Sequence, residues 1–389
     1  MPTPTGPDSS NQVTRDGITS QRCDGELPFW EVWSHRLANE APDARAGAEP
    51  VLLIHAATLA RDMFLVRNGG FVKALLDVKR EGRPQFDVLT LDWRSSKRLF
   101  GDYGEGAKGR AKPDQYRLDD VVHDVRNGLD VAAARHGGAR VHVVAHCIGA
   151  AATSQAIVTG AVPPSRLANV VLSTIALFYR VGLDGVLKTA ENVMAAFEAQ
   201  GVAALSPYAD FDGPASQDWP VAFKDMYNMW LETIFQHGCG IDLCNRLWFM
   251  YGGDYRADDM QDIHGSPELL RQQFGAMPVG LYRHVIDNCR RGWAGAWDST
   301  DPRQLLNPEP FRGLPLTLIT GTENQVWHRD SIDRMHEWLH RELGSGARNI
   351  RKRVFEDYGH VDLWWSRRAH EPGQVFPYLI DALKRPPDV

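Results

Sequence analysis

The chain has 389 residues, room for one large or two small domains, and its 43% hydrophobic content is enough for an ample core. Its 43 Lys and Arg against 49 Asp and Glu give a net charge of −6, too balanced for a nucleic-acid binder or a protein held to an anionic membrane by charge. Five cysteines (Cys23, Cys147, Cys239, Cys244, Cys289) are too sparse and odd a set for a disulfide framework, and the one close pair fits no common zinc spacing.

The N-terminus has no basic region leading into an apolar core, and no stretch of about 18 apolar residues follows anywhere, so neither a signal peptide nor an integral membrane segment is expected. A cytoplasmic protein is the expectation. Residues 1–15 read as a disordered N-terminus, and the tail after Lys384 likewise.

In chain order, Asp16-Gly17 signals a turn, and Pro28 to Leu37 supplies an early antiparallel strand with Phe29, Glu31, Trp33 and His35 on one face. Val51 to Ile54 is a buried strand ending at His55-Ala56-Ala57, and Phe86 to Leu91 is another, ending in Asp92-Trp93-Arg94. Lys97 to Gln115 is rich in glycine and lysine and reads as an exposed loop. Its GxGxxG spacing neither follows a strand nor opens a helix, so no nucleotide site is expected. From Leu118 a helix is marked by Val122, Val125, Leu129 and Ala132, and Gly137-Gly138 ends it.

The stretch Arg140 to Ala150, RVHVVAHCIGA, organises the rest. A β-branched run opens it, a sharp turn with small residues at Ala145, Gly149 and Ala150 surrounds Cys147, and a helix-compatible run follows. Strand, small-X-Cys-X-small, helix is a nucleophile elbow with cysteine in place of serine, a turn that holds the nucleophile in a strained conformation above the sheet. Further strands follow at Leu167 to Leu177, Leu316 to Thr320 and Ile350 to Phe355. Apolar strands separated by helices predict an α/β fold with a mostly parallel central sheet covered on both faces. The predicted division is a first core part at 16–178, a helical cap or lid rich in aromatic residues at 179–311, and a second core part at 312–389.

A cysteine nucleophile needs a base, and the base an orienting acceptor. Among 14 histidines, His360 stands in the loop after the last strand, where the base returns to the elbow, and is expected to raise the thiolate fraction of Cys147. His146, His55 and His142 read as structural. The acid loop reads Gly321-Thr322-Glu323-Asn324, with Asn324 where an aspartate is usual. Glu323 is the first choice for the third member and Asn324 the second, with Asp362 and Asp330 behind them. The oxyanion hole is expected to use the backbone N–H of Ile148 and that of Ala56 or Ala57. Asp92 and Arg94 are expected to support that loop as a buried pair, with a surface salt bridge as the alternative. No metal and no cofactor are called for.

These motifs resemble α/β-hydrolase-fold proteins, and more narrowly the hydrolase-like domain associated with cholesterol-oxidase-type (GMC) oxidoreductases. The pieces that carry the likeness are Leu91-Asp92-Trp93-Arg94-Ser95-Ser96, Ala145 to Ala150, Glu323-Asn324 with Val326, Tyr358-Gly359-His360-Val361-Asp362, and Phe376-Pro377. The resemblance implies the hydrolase fold and the Cys147–His360 pair, and says little about substrate. There is no flavin-binding half, so no redox function is carried over. Through its cysteine elbow the chain is distantly similar to polyhydroxyalkanoate synthases and dienelactone hydrolases. The expected activity is hydrolysis of an ester, thioester or lactone of a bulky apolar molecule through a Cys147 acyl-enzyme. An acyltransferase or cyclase with the same machinery is the first alternative, and a catalytically silent hydrolase-fold binding protein the second. The expected partner is an apolar small molecule or acyl-thioester, and a homo-oligomer is left open.

Overall fold

The structure, a computed structural model, describes residues 12–26, 29–41, 43–100, 116–182, 204–205, 273–297 and 305–384, with residues 189 and 199. Its centre is a nine-stranded sheet. We number the strands β1 (Gln12–Arg15), β2 (Ile18–Glu26), β3 (Trp30–Leu37), β4 (Glu49–Ile54), β5 (Phe86–Trp93), β6 (Val141–His146), β7 (Leu167–Ser173), β8 (Leu316–Gly321) and β9 (Ile350–Phe355). Their spatial order is β1-β2-β3-β5-β4-β6-β7-β8-β9. Strands β1, β2 and β3 pair antiparallel up to β5, and every pairing from β5 through β9 is parallel.

The residue chemistry explains this division. Every residue of β5 and β6 is buried, as strands with a layer on each face must be, and their Val- and Leu-rich composition follows. At the opposite edge, Gln12–Arg15 falls within the segment read as disordered yet pairs with β2 along its whole length. The hairpin is legible in the sequence only at its turn. Asp16 and Gly17, at φ 51° and 74°, form the left-handed pair that joins tightly paired strands. The exposed side chains of β1 carry no period-two apolar signal from which a strand could be read.

Helices cover the sheet on both faces: α1 (Gly70–Leu76), α2 (Leu118–Arg135), α3 (Ile148–Val158), α5 (Asp330–Leu343) and α6 (Val375–Lys384), while α4 (Val279–Arg291) packs against α2. The α2 helix begins and ends on sequence signals. The N–H of Arg117 donates to Asp120 Oδ2 at 2.8 Å at one end, and Gly137 and Gly138 turn left-handed at the other. All of α3 is buried, which its run of small residues permits. No helix of the described residues is long and apolar enough to cross a membrane.

The expected cap at 179–311 falls largely outside the described residues, as does the loop expected at Lys97 to Gln115 beyond one helical turn, Lys97–Phe100. In the described part of 179–311, the chain after α4 runs beside the segment that follows β7. Phe178 bridges Trp293, the N–H of Tyr179 donates to Gly292 O at 3.1 Å, and that of Ala294 donates to Leu177 O at 2.7 Å.

Candidate active site

Parallel strands bring their C-terminal ends to one edge of the sheet, and the connections leaving β4 through β9 meet there. β6 is flanked by β4 and β7, so the elbow after β6 lies beside the connection His55–Ala57. Cys147, between β6 and α3, has φ 54° and ψ −126°. This positive φ is costly for a residue with a side chain and persists only where the surroundings hold it. Gly149 shows how they do so. A Cβ there would lie 2.5 Å from His55 O and 2.8 Å from Ile54 Cγ2, so the missing side chain lets the elbow helix sit against the end of β4.

That approach brings backbone donors to the cysteine. The N–H groups of Ile148 and Ala57 both act on the Cys147 sulfur. Of the two residues expected from the β4 loop, Ala57 is the one whose N–H favours the thiolate. The loop is braced from beneath. His55 Nδ1 donates to Ala56 O at 2.6 Å, which sets the tautomer, and its ring stacks on Trp93 with centroids 5.2 Å apart. The Trp93 indole N–H donates to His55 O at 3.0 Å.

The expected Asp92–Arg94 pair does not form. Asp92, fully buried, accepts from Arg61 Nη1 at 2.6 Å, from the Arg61 backbone N–H at 2.8 Å and from Ser96 Oγ at 2.8 Å. Arg94 lies past the end of β5 and donates to Asp124 of α2 through Nε and Nη2, each at 2.7 Å. Once out of the strand, its side chain follows the helix layer and leaves the loop to Asp92 and Arg61. The Arg61 guanidinium lies 3.6 Å from the Trp33 ring centroid, which shields this buried pair.

His360 is buried beside the elbow, its ring tilted on that of His146 with centroids 4.5 Å apart. His146 Nδ1 is hydrogen-bonded to Ser173 Oγ at 3.0 Å, in keeping with a structural role. Burial pushes His360 down to about 3, so its imidazole is neutral at neutral pH. Among the described residues no hydrogen bond joins His360 to Cys147, and His360 Nδ1 is buried without a partner. The sulfur instead accepts the indole N–H of Trp327 at 3.3 Å. Burial pushes the Cys147 thiol up to about 11, outweighing the three N–H groups that favour the thiolate. This corrects the expectation of a raised thiolate fraction: at rest the site holds a neutral thiol and a neutral imidazole.

None of the four candidates for the third member bonds to His360 Nδ1. Glu323 is exposed, and its backbone N–H donates to Tyr358 O at 2.9 Å. Asn324 is buried, and its Oδ1 accepts the N–H groups of Val326 and Trp327, each at 3.1 Å. The amide thus shapes the turn that carries Trp327 to the sulfur. Asp362 is buried and accepts the Gly359 N–H at 2.7 Å, holding the loop that carries His360. Asp330 opens α5 and lies 3.4 Å from His328 Nδ1 at a half-exposed position. Trp327 is not legible as a site residue in the sequence; its one signal is its place three residues past Asn324.

A strained residue at a strand-to-helix turn, backbone donors from the first parallel connection and a histidine after the last strand form one family pattern. Residues 49–366 match the family model described as alpha/beta hydrolase fold. The chain belongs to the α/β-hydrolase family. No curated protein sequence matches this α/β-hydrolase. Among solved structures it is similar to a lipase in its open form, 15% identical, with 94% of this chain and 98% of that chain covered at a TM-score of 0.56. It is also similar to a highly thermostable carboxyl esterase from Bacillus coagulans in complex with glycerol, 10% identical, with 94% and 99% covered at a TM-score of 0.50. At such identities the likeness is one of fold.

Proposed function

We propose that this α/β-hydrolase cleaves an ester, thioester or lactone of a bulky apolar molecule through a Cys147 acyl-enzyme. The observation that carries the reading is the Cys147 elbow, strained at φ 54° and faced by the N–H groups of Ile148 and Ala57. In this reading the sulfur attacks the substrate carbonyl as His360 takes the thiol proton. The two backbone N–H groups receive the oxyanion, and the proton passes to the leaving alcohol or thiol. Water, activated by His360, then releases the acid and restores the thiol. Because the resting pair is neutral, His360 acts as a general base during attack. The pair works without a carboxylate on Nδ1; Asp362 holds the loop and Asn324 the turn of Trp327.

The aromatic content of 179–311 and the likeness to a lipase and a carboxyl esterase support an apolar acyl substrate. The narrower likeness to the hydrolase-like domain of GMC oxidoreductases rests on the sequence motifs. An alcohol or thiol could replace water as the acyl acceptor with the same residues. A specific observation favours a second reading, a silent binding protein: the Trp327 N–H occupies the sulfur, and His360 is not bonded to it. Intact-protein mass spectrometry after exposure to p-nitrophenyl esters, acyl-thioesters and lactones decides between them. A mass adduct on Cys147 that decays in water supports the hydrolase, and one that decays only with an added alcohol or thiol supports the acyltransferase. Neither adduct nor product with any of the panel supports the silent protein.

A further inference from the structure

Beyond the elbow, buried polar side chains gather on the α3 side of the cysteine. Tyr179 is 1% exposed, Gln155 1% and Asn288 0%, and among the described residues the Tyr179 hydroxyl, Gln155 Nε2 and Asn288 Nδ2 all lack a hydrogen-bond partner. Each is costly to leave so, since a buried donor without an acceptor carries its full desolvation penalty.

Independent elements bring the three together. The backbone pairing of Tyr179 with Gly292 sets the ring beside the end of α4, which carries Asn288. Asn288 Oδ1 is committed to the Gly295 N–H at 2.9 Å, so what the side chain has left to offer is its N–H pair. Gln155 stands two turns into α3, where helical side chains lean back toward the N-terminus and so toward the elbow. Both amides neighbour the Tyr179 hydroxyl closely enough to interact with it, though neither reaches hydrogen-bond geometry, and Cys147 is near enough to be felt by the same group. The Tyr179 ring meets Trp327 edge to face, with centroids 5.5 Å apart, and Trp327 donates to the sulfur.

We propose that Tyr179, Gln155 and Asn288 form a subsite for a neutral acceptor oxygen on the acyl chain, so that the substrate class is an oxygenated acyl group bearing a keto or hydroxyl oxygen. The proposal rests on the acyl-transfer reading of Cys147. Its chemistry follows from the groups. A tyrosine hydroxyl and two amide nitrogens are neutral donors, and what they fit is a neutral oxygen whose two lone pairs take two of them, the hydroxyl also being able to accept from the third. A site built to donate to an oxygen discriminates against the methylene analogue, because its donors are then left bare.

The test uses hexanoyl thioesters of N-acetylcysteamine, unsubstituted or with a ketone at carbon 3, 4 or 5, and follows adduct formation on Cys147 by mass. The matching amides, which cannot acylate, are titrated calorimetrically into Cys147→Ala protein. At least one ketone isomer is expected to exceed the unsubstituted chain by about tenfold or more in both acylation and affinity. In Tyr179→Phe, which keeps the ring against Trp327, and in Gln155→Met, that ratio is expected to fall by about tenfold. Equal affinities for ketone and methylene amides, or absent binding of both, overturn the subsite and leave a structural water as what the donors hold. Acylation without discrimination overturns the subsite while the acyl-transfer reading stands. Ketone-selective binding without any acylation upholds the subsite and overturns the reading of Cys147.

Discussion

At the cysteine, the indole N–H of Trp327 is, among the described residues, the one side-chain donor on a sulfur whose thiol burial has pushed up to about 11. A hydrogen bond to a charged group is worth roughly 1.5–3 kcal/mol, or about one to two pH units of thiolate stabilisation. Trp327→Phe keeps an aromatic ring against Tyr179 and removes the donor. The pH midpoint of Cys147 alkylation, followed by iodoacetamide labelling and peptide mapping, is expected to rise by that amount. An unchanged midpoint would show that the thiolate does not feel the indole. In the unaltered protein, Cys147 is expected to label more slowly at neutral pH than the less buried Cys23, the reverse of what an activated thiolate would do. At Glu323 and Asn324 the geometry also sets the outcome. Glu323→Gln removes an exposed carboxylate and is expected to change kcat/KM by no more than a few-fold. Asn324→Ala deprives two N–H groups of their acceptor and is expected to cost about 1–3 kcal/mol in urea unfolding, with a larger loss of kcat/KM through Trp327. A loss of about 100-fold or more in Glu323→Gln, beside an unaffected Asn324→Ala, would restore the glutamate as the third member.

At the scale of elements, the site depends on how closely α3 approaches β4. Gly149→Ala places a methyl group 2.5 Å from His55 O, a backbone atom that cannot swing aside. The helix or the His55–Ala57 loop must shift, at an expected cost of about 1–3 kcal/mol in denaturant unfolding. Acylation of Cys147 is expected to fall more steeply than stability, because the shift separates the Ala57 N–H from the sulfur. Equal acylation rates in the variant and the unaltered protein would show that the contact between α3 and β4 does not set the donor's position. The loop has its own anchor in the buried Asp92–Arg61 pair, so a shift confined to α3 is the smaller rearrangement.

For the whole molecule, burial of neutral histidines governs the response to acid. Burial lowers His35 to about 3 and His360 to about 3, and lowers His55, His146 and His284 as well. Unfolded histidine takes up a proton near pH 6.5. Between that value and the folded one, the unfolded chain binds more protons, so the contribution to stability is full above about pH 7 and is lost as pH falls through 6.5 toward 3. His35 is the cleanest probe, since it lies away from the elbow between Ser20 Oγ at 2.8 Å and Thr90 Oγ1 at 2.9 Å. Burial is the first cause of its shift; the Arg61 cation lowers it further, and the Asp92 carboxylate opposes both. One proton taken up by the unfolded chain over about 1.5 pH units amounts to about 1.5–2 kcal/mol. His35→Gln is therefore expected to lose less stability than the unaltered protein between pH 6.5 and pH 5, by about that amount, read from urea unfolding at each pH. Equal losses would show that His35 titrates in the folded state as it does in the unfolded chain.

Much of this molecule can be read from its residues in order. Continuous apolar runs such as Val141 to Val144 and Val51 to Ile54 have one stable setting, inside a parallel sheet, and small residues around Cys147 have one reason to recur there, a tight turn. Those are local constraints, and sequence displays them. The partners of charged and polar groups are decided elsewhere. Asp92 and Arg94 stand two apart, yet one finds Arg61 and the other Asp124, because strand ends release side chains to whatever layer lies nearest. Asn324 holds the expected acid position but turns its oxygen to its own backbone, and Trp327, unremarked in the sequence, arrives at the sulfur. Protonation follows the same rule: Cys147 and His360 are neutral because of how deeply the fold buries them, and burial is a property of the packed chain and of no residue alone.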